Sequence, residues 1–434
     1  MRLRVRDGRI IDPAHNVDSV ADVLIEDGRI VGLEPATDPD RGSTQGDAQV
    51  IDATGKIVCP GFIDMHVHFR DPGYEYKEDI ETGSRAAAAG GFTTVCCMPN
   101  TDPVIDNGAV ASYVRKRAQD AGVIDVLPFG SITKRQAGEE LSEMGELVRA
   151  GCVGFSDDGK PVMRADVMRN ALSYSRIFNA PIISHCEDLN LTRDGQMHEG
   201  YYSFVFGLKG IPAEAEETMV ARDLLLARLT GGRLHVCHVS TRGSLELIRR
   251  AKAEGIAVTC EVTPHHLTLT DEVVGSYDTN TKVNPPLRSE DHVQALRQAL
   301  SEGLIDCIAT DHAPHHLESK DCEYAAAAPG IAGLETAVAV IMDRLVHSGA
   351  LDITKMVSLF TVGPARVLGL DRGTLSPGAR ADITIIDPDR VKRVNPETFN
   401  SKARNTPFAG MELRGWPWMT ISEGRVVAHD GSVG

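Results

Sequence analysis

The sequence predicts an α/β protein, in which a (β/α)8 TIM-like barrel is joined to a small β-sandwich module built from both termini. Two observations lead to this prediction. In the middle of the chain, short apolar and β-branched runs alternate with longer, helix-like segments. At both ends, acidic-glycine pairs separate short alternating runs. The 434 residues, 42% of them apolar, are enough for a barrel and a second module.

The terminal module is predicted over residues 1–56 and 374–434. Chain termini often lie close together, so one module can take strands from both ends. The segment "GARADITIID" is predicted to be a strand that ends at an Asp-Pro pair. Three acidic-glycine pairs are predicted hairpin turns, namely Asp7-Gly8, Asp27-Gly28 and Glu423-Gly424.

The barrel is predicted over residues 57–373. Its eight candidate strands are the runs "GKIVCPGFIDMHVHF", "GFTTVCCMPN", "VIDVLPFGSI", "CVGFSDD", "APIISHCE", "RLHVCHVS", "IAVTCEVT" and "LIDCIATDHAP". Segments with a 3.6-residue apolar period and glycine stops lie between them: "IETGSRAAAAG", "NGAVASYVRKRAQDAG", "AEETMVARDLLLARLTGG" and "SLELIRRAKAEG". A doubly wound open sheet is the alternative, but no GxGxxG or Walker loop supports it.

Composition argues against several classes of protein. A net charge of -16 and a pI of about 5.4 are unlike those of a nucleic-acid or membrane-surface binder. The N-terminal stretch "MRLRVRDGRIID" has no apolar signal core, and no run has membrane-spanning length, so we expect a cytoplasmic protein. The nine cysteines have no CxxC spacing and lie mostly in apolar runs, which indicates free buried thiols.

Polar residues close several of the predicted barrel strands, at the edge where barrel enzymes carry their active sites. His66, His68 and Arg70 alternate along the first run, so a strand would point them to one face. The other runs end in the polar residues Asn100, Asp157, Asp158, His185, His238, Asp311, His312 and His315.

Four histidines and two carboxylates at one edge suit two metal ions that share a carboxylate. Such a pair can lower the pKa of a shared water from about 15.7 toward about 7, and the hydroxide can attack an unreactive carbonyl. Asp311 is predicted to be a ligand and the proton shuttle. Arg70 is predicted to bind a substrate carboxylate. The alternative interpretation is a set of solvated, structural strand ends.

The motifs "GFIDMHVHFRDPG", "MPNT", "FSDDG", "HCED", "HVSTRGS", "VTPHHLTLT", "KVNPPLR", "ATDHAPH" and "GLET" occur in this order. Together they resemble the amidohydrolase superfamily and, more narrowly, the class I bacterial dihydroorotases. The resemblance covers essentially the whole chain. It implies reversible cyclisation of N-carbamoyl-L-aspartate to (S)-dihydroorotate in de novo pyrimidine (UMP) biosynthesis, by metal-hydroxide attack on the cyclic amide.

The resemblance also implies two Zn2+ ions per subunit. Asp158 would bridge them, where many relatives use a carboxylated lysine, and Asp157 would have a supporting or loop role. Lys160 lies two residues beyond this bridge. His66, His68 and Asp311 would bind one ion, and His185 and His238 the other.

Substrate contacts follow from the same resemblance. Arg70, Asn100 and His315 would hold the substrate carboxylate. Residues 313–330 are expected to form a loop that covers the site. The full implied set of substrate-binding residues is His68, Arg70, Asn100, Asn284, His315, Pro329 and Gly330.

Two other functions stay open. One is another cyclic amidohydrolase, such as an allantoinase, hydantoinase or dihydropyrimidinase, whose usual bridge is a lysine. The other is an inactive dihydroorotase-like scaffold for aspartate transcarbamoylase, a type of protein that has lost metal ligands. A homo-oligomer is expected, and association of an active enzyme with that transcarbamoylase is left open. His265 and His266 are expected to make structural hydrogen bonds.

Overall fold

The computed structural model describes residues 2–35 and 48–434. Residue 1 and residues 36–47 belong to the predicted terminal module and lie outside the described residues. Within the described ranges, the helices are too short or too polar to serve as transmembrane segments.

The described chain alternates strands and helices along most of its length. The strands are β1 (Arg2–Asp12), β2 (Val17–Glu26), β3 (Arg29–Pro35), β4 (Gln49–Asp52), β5 (Ile57–Pro60), β6 (Phe62–Val67), β7 (Phe92–Cys97), β8 (Asp125–Pro128), β9 (Phe155–Ser156), β10 (Ile182–Ser184), β11 (Met197–His198), β12 (Gly210–Ile211), β13 (Leu234–Val236), β14 (Val258–Val262), β15 (Cys307–Ile308), β16 (Ile383–Arg393), β17 (Glu412–Ser422), β18 (Arg425–His429) and β19 (Ser432–Val433).

The α-helices are α1 (Ile80–Ala89), α2 (Gly108–Ala121), α3 (Met144–Arg149), α4 (Ala165–Ser175), α5 (Leu189–Thr192), α6 (Tyr201–Phe206), α7 (Glu214–Thr230), α8 (Arg242–Ala253), α9 (Pro264–Thr268), α10 (Glu290–Glu302), α11 (Ala337–Ile341), α12 (Ile353–Phe360) and α13 (Val362–Leu368). Short 3-10 helices lie at Lys134–Gln136, Arg176–Phe178, Asp271–Ser276, Thr279–Thr281, Leu317–Ser319 and Pro396–Thr398, and a π-helical turn lies at Met342–Val346.

Eight parallel strands form the barrel. They belong to two hydrogen-bonded sheets, β6-β7-β8 and β9-β10-β13-β14-β15. Parallel bridges between Gly130 and Phe155, and between Val67 and His312, join the edges of the two sheets into a ring. Each predicted apolar run supplies one barrel strand, and the predicted fold class is confirmed.

The predicted helices α1, α2, α7 and α8 form where the apolar period indicated, and local capping explains their ends. Asp79 caps α1 by accepting a hydrogen bond of 2.8 Å from the backbone N–H of Thr82. Gly122 and Gly231 end α2 and α7 in the left-handed conformation, at φ 65° and 67°. Apolar faces of these helices pack on the outside of the barrel strands in one large core.

Below its mouth, the barrel is filled by side chains rather than open. Thiols contribute to this filling, since eight of the nine free cysteines are buried. The interior cluster consists mainly of Met65, Cys96, Met98, Leu127, Phe129, Ile183, Cys237, Cys307 and Ala309. Because the interior is packed, side chains that bind a ligand must lie at the strand ends.

A second, nine-stranded sheet draws on both ends of the chain. Its order is β19-β18-β17-β16-β5-β1-β2-β3, with β4 paired to β1. It packs around its own apolar core, which includes Leu3, Val23 and Ile383. β5 belongs to this sheet although residues 57–60 fall in the predicted barrel segment. The boundaries 1–56, 57–373 and 374–434 stay predictions.

Two of the predicted hairpins are present in this sheet. Asp27-Gly28 links β2 to β3, and Glu423-Gly424 links β17 to β18. All four residues have positive φ, between 47° and 78°, which suits a two-residue turn between twisted strands.

The predicted hairpin at Asp7-Gly8 is wrong. These residues lie inside β1, which pairs with β2 on both sides of a register shift between Val5 and Gly8. Asp7 is the extra residue of a β-bulge, at φ 60°. A Cβ on Gly8 would lie 2.4 Å from Cγ2 of Val58, so the close approach of β5 requires glycine there.

The predicted stop at Asp387-Pro388 is also wrong. β16 continues to Arg393 and resumes its pairing with β17 at Val391. Pro388 lies where the register shifts between Asp387 and Val391. No backbone N–H is needed there for pairing with β17, so a proline is accommodated.

Candidate active site

The six predicted metal ligands lie at the carboxyl ends of the barrel strands. His66 is in β6 and His68 just beyond it, Asp158 follows β9, His185 follows β10, His238 follows β13 and Asp311 follows β15. His238 and Asp311 have φ values of 28° and 49°, a left-handed region that non-glycine residues seldom adopt. Such backbone strain occurs most often at functional sites.

Asp158 lies among all four histidines. Its Oδ1 is 3.4 Å from Nε2 of His66 and 3.4 Å from Nδ1 of His185. The same oxygen is 3.6 Å from Nε2 of His238. Its Oδ2 is 3.4 Å from Nε2 of His68. One carboxylate therefore reaches every imidazole of the cluster.

Asp311 completes the cluster on the side of β6. Its Oδ1 lies 3.1 Å from Nε2 of His68 and 3.4 Å from Nε2 of His66. The ligand atoms form two groups in which all members lie within 4.8 Å of one another. One group is on His66, His68 and Asp311, and the other is on His66, Asp158 and His238. Overlapping groups of this kind could hold two neighbouring ions.

Unpaired buried atoms support metal binding at this cluster. Nε2 of His66 and Oδ1 of Asp158 are buried and lack a hydrogen-bond partner among the described residues. Buried polar atoms of folded proteins are nearly always paired. Imidazole nitrogens and carboxylate oxygens are common ligands of zinc and of similar divalent metals. The donor set therefore fits a divalent metal centre.

The charges of the cluster also favour a cation. Burial alone would raise the pKa of Asp158, but the surrounding histidines lower it well below its usual value. The pKa of Asp311 is lowered in the same way, against the effect of burial. Burial would lower the pKa of His185, yet Asp158 and Glu187 raise it to about 10. Positive charge is thus stabilised beside Asp158 and Asp311, whereas burial and the charge of Arg70 lower the pKa of His68.

Glu261, at the end of β14, was missed by sequence reasoning. Its fully buried carboxylate accepts hydrogen bonds from Nδ1 of His66 at 2.6 Å and Nε2 of His235 at 3.2 Å. Because Nδ1 of His66 donates to Glu261, Nε2 keeps the lone pair that faces Asp158. A charged residue inside the apolar run "IAVTCEVT" was the available signal.

Glu187, two residues after His185, was also missed. One of its oxygens, Oε2, accepts hydrogen bonds of 2.8 Å from Nε2 of His185 and of 2.8 Å from Nδ2 of Asn284. The available signal was the acidic pair of "HCED". Asn284 therefore contacts a partner of the metal cluster and not the cluster itself.

Asp157 and Lys160 lie outside the cluster. Asp157 accepts hydrogen bonds from the backbone N–H groups of Ile132 and Thr133, at 2.8 and 3.1 Å, so it holds a neighbouring loop as predicted. Lys160 is exposed. Asp158 is thus the side chain of "FSDDG" that faces the histidines.

The loop after β6 carries Arg70. The predicted strand alternation is wrong at this residue, because β6 ends at Val67 and Arg70 has φ 61°. Its Nε donates to the carbonyl of Pro314 at 3.4 Å. Asn100 lies on the same side of the mouth, where its Oδ1 accepts from Nδ1 of His68 at 3.0 Å.

His315 lies near the start of residues 313–330, the segment that is predicted to cover the site. Its Nε2 donates to the carbonyl of Pro329 at 2.9 Å, and its Nδ1 is buried without a hydrogen-bond partner among the described residues. Burial and the charge of Arg70 lower the pKa of His315 to about 2, so the ring is neutral. Arg70 is therefore the positive group beside it.

Asn405, between β16 and β17, holds both ends of residues 313–330. Its Nδ2 donates to the carbonyls of Ala313 and Gly330, each at 3.0 Å, and its Oδ1 accepts from the backbone N–H of His315 at 3.1 Å. Sequence reasoning did not single out Asn405. It brings the terminal module to the edge of the site.

The remaining histidines differ in their surroundings. His266 makes the predicted structural bonds, with Oγ1 of Thr263 at 2.8 Å and the carbonyl of Pro285 at 2.9 Å. Nε2 of His265 is buried and has no partner in the described ranges, so the expected structural bond is not found at that atom. His312 turns away from the cluster, toward Glu78 at 3.4 Å.

Family models match most of the chain in two overlapping parts. Residues 55–244 match a model described as dihydro-orotase-like, and residues 218–428 match a model of the amidohydrolase family. The first match includes the candidate ligands from His66 to His238, and the second includes Asp311.

Whole-chain relatives agree with these matches. The chain is 56% identical over 430 residues to a dihydroorotase of Pelotomaculum thermopropionicum, with 99% of each chain covered. It is 51% identical over 431 residues to a dihydroorotase of a Geobacter species, covering 99% of this chain and 100% of the relative. Its structure matches an L-hydantoinase (dihydropyrimidinase) from Arthrobacter aurescens with a TM-score of 0.89 and 28% identity, over 100% and 97% of the two chains.

Proposed function

The chain belongs to the dihydroorotase family of amidohydrolases, and from this we propose that it interconverts N-carbamoyl-L-aspartate and (S)-dihydroorotate in de novo pyrimidine biosynthesis. The enzyme is a metal-dependent hydrolase of a cyclic amide. The observation that carries the proposal is the buried cluster of four histidines and two aspartates at the barrel mouth, with Asp158 in contact distance of every imidazole.

We propose two zinc ions per subunit. His66, His68 and Asp311 would hold one ion, His185 and His238 the other, and Asp158 would lie between them. The group of His66, His68 and Asp311 supports the first ion. Contacts of His185 with Asp158 and His238 support the second. When bound, divalent ions would lower the pKa of a water and polarise the amide carbonyl.

Asp311 is proposed to move the proton. Its pKa is lowered, so its carboxylate is ionised at neutral pH and able to act as a base. In ring opening it would take a proton from the attacking water and deliver it to the leaving ring nitrogen. In ring closure it would accept a proton from the terminal ureido nitrogen as that nitrogen attacks the side-chain carboxyl carbon. It would then pass this proton to the carboxyl oxygen that leaves as hydroxide when the C–O bond breaks.

The substrate carboxylate is proposed to bind between Arg70, Asn100 and His315. Arg70 would supply the charge, since the neutral His315 can only supply a hydrogen bond. Asn284 would contact the ring amide, and Pro329 and Gly330 would contribute backbone groups. His68 would touch the substrate from the metal side.

The structural likeness to an L-hydantoinase keeps the other cyclic amidohydrolases as the second candidate. Hydantoin and dihydropyrimidine rings lack the carboxylate for which Arg70 is suited. The exposed Lys160 also argues against a lysine bridge. An inactive scaffold is not favoured, because all six ligand positions carry metal-binding side chains.

A substrate panel tests the proposed function. Purified protein would be assayed as isolated, after chelation and after zinc return, with dihydroorotate, carbamoyl aspartate, hydantoin, dihydrouracil and allantoin. Zinc-dependent interconversion of the first two alone is expected. Turnover of a ring without the carboxylate would keep the metal centre and overturn the substrate assignment. Metal binding without any turnover would favour the inactive scaffold.

Two finer predictions belong to the same proposal, a homo-oligomer and a cytoplasmic location, while association with aspartate transcarbamoylase is left open. The eight buried free thiols are typical of proteins from a reducing compartment. Size-exclusion chromatography with light scattering, with and without the transcarbamoylase, measures both kinds of assembly. A monomer would contradict the predicted homo-oligomer, and co-elution would decide whether the chain associates with the transcarbamoylase.

A further inference from the structure

We propose that Glu187 is a positioning residue that holds the metal-facing ring of His185 and the substrate-facing amide of Asn284 through one carboxylate oxygen. This inference rests on the proposed function and adds to it a link between metal centre and ring contact. The link is direct, because Oε2 of Glu187 accepts both hydrogen bonds, each at 2.8 Å.

The bond to His185 decides which of its nitrogens faces the metal cluster. A neutral imidazole carries its hydrogen on one nitrogen and a lone pair on the other. A metal-bound His185 is neutral, so with Nε2–H donating to Glu187 its lone pair is on Nδ1. Nδ1 faces the cluster, 2.9 Å from Nε2 of His238 and 3.4 Å from Oδ1 of Asp158. Carboxylates behind metal-bound histidines typically fix this tautomer and raise metal affinity.

The bond to Asn284 decides how its amide is presented. The nitrogen side of the amide faces Glu187, so the carbonyl oxygen points away from it and can accept a hydrogen bond. A ring N–H of the substrate beside Asn284 would find this carbonyl oxygen as its acceptor, and a flipped amide would present the wrong group.

Glu187 acts here as an acceptor, because one of its oxygens receives both N–H groups. A carboxylate has no hydrogen to donate, so it must receive both N–H groups. Only this state holds both partners in the required orientation at the same time.

Four variants test the inference: Glu187→Ala, Asn284→Ala, the double variant and the isosteric Glu187→Gln. Zinc affinity of the metal-free proteins is measured by competition with a chelating dye, and KM and kcat are measured with dihydroorotate. Glu187→Ala is expected to lower zinc affinity by about 10–100-fold and to raise KM. Asn284→Ala is expected to raise KM with zinc affinity unchanged. Glu246→Gln, on the exposed face of α8, is the control.

The double variant measures the link. Glu187→Ala already releases the side-chain amide of Asn284. Adding Asn284→Ala to that variant should therefore raise KM by a smaller factor than Asn284→Ala does in the wild-type protein. Fully additive effects on KM, or an unchanged zinc affinity in Glu187→Ala, would overturn the inference. Glu187→Gln keeps side-chain volume and an accepting oxygen, so it should fold and lose part of both properties. A Glu187→Gln variant with both zinc affinity and KM unchanged would also overturn the inference.

The two readouts separate this inference from the proposed function. Zinc affinity needs no turnover, so it decides the role of Glu187 at the metal even if dihydroorotate is not the substrate. A wild type that binds zinc but does not convert dihydroorotate would refute the proposed function alone. If the wild-type protein converts dihydroorotate and Glu187→Ala binds zinc with normal affinity, only the inference is refuted.

Discussion

Nδ1 of His185 and Nε2 of His238 lie 2.9 Å apart at the mouth of the barrel. Both atoms also lie within 3.6 Å of Oδ1 of Asp158. Two ring nitrogens and a carboxylate oxygen directed to one point are the arrangement that a divalent cation stabilises.

Replacing Asp311 tests the proton transfer. Asp311→Asn keeps the shape of the side chain but cannot accept the proton, so kcat should fall by at least about 10³-fold in both directions. Initial rates with dihydroorotate and with carbamoyl aspartate measure this effect. Asp321→Asn, an exposed aspartate on residues 313–330, is the control. Near-normal kcat in Asp311→Asn would remove it from the proton path.

Replacing Arg70 tests the carboxylate site. Arg70→Met removes a charge-assisted bond worth about 1.5–3 kcal/mol, so KM for dihydroorotate should rise by roughly 10–100-fold. The effect on kcat should be smaller, because Arg70 binds the carboxylate equally in the bound substrate and in the transition state. Arg164→Met, at an exposed arginine paired with Asp166, is the control. An unchanged KM would move the carboxylate site elsewhere.

Replacing Asn405 tests the attachment of residues 313–330. Asn405→Ala removes three hydrogen bonds, to Ala313, Gly330 and His315. At about 0.5–1.5 kcal/mol each, their loss should raise KM by tenfold or more, since His315 and Gly330 are no longer fixed. Limited proteolysis should cut within 313–330 sooner. Asn170→Ala, exposed on α4, is the control, and equal KM values in the two variants would contradict this role.

Replacing Glu261 tests the support behind His66. Glu261→Gln removes the charge that accepts the hydrogen of Nδ1, so zinc affinity should fall by about 10–100-fold. Dye competition on the metal-free protein measures this loss. Glu216→Gln is a control matched for burial, because Glu216 pairs with Arg288 and does not contact His66. Similar zinc affinities in both variants would show that Glu261 acts only on the fold.

Residues close together in the sequence could be predicted to share the site. His66 and His68 are two positions apart at a strand end, so strand geometry alone brings their side chains together. The eight apolar runs predicted the barrel because each run is bounded by glycine or polar residues. Arg70 could not be placed, because its position depends on a left-handed turn after β6 and not on strand alternation.

Side chains that act through other side chains could not be predicted. Glu261 lies 195 residues from His66, and Asn405 lies 90 residues from His315. Their roles depend on which strands become neighbours and on a connection from the terminal sheet to the barrel mouth. The bulge at Asp7-Gly8 was missed for the same reason, because it depends on how β1 pairs with β2 and packs against Val58 of β5.

Titration of the metal-free protein with zinc shows how many ions the active site needs for turnover. Bound zinc and the rate of dihydroorotate hydrolysis would be measured in the same samples. We expect the rate to rise with bound zinc and to level off at two ions per chain, and a His185→Ala variant to bind one ion fewer. A full rate with one ion or none per chain would contradict the two-metal centre.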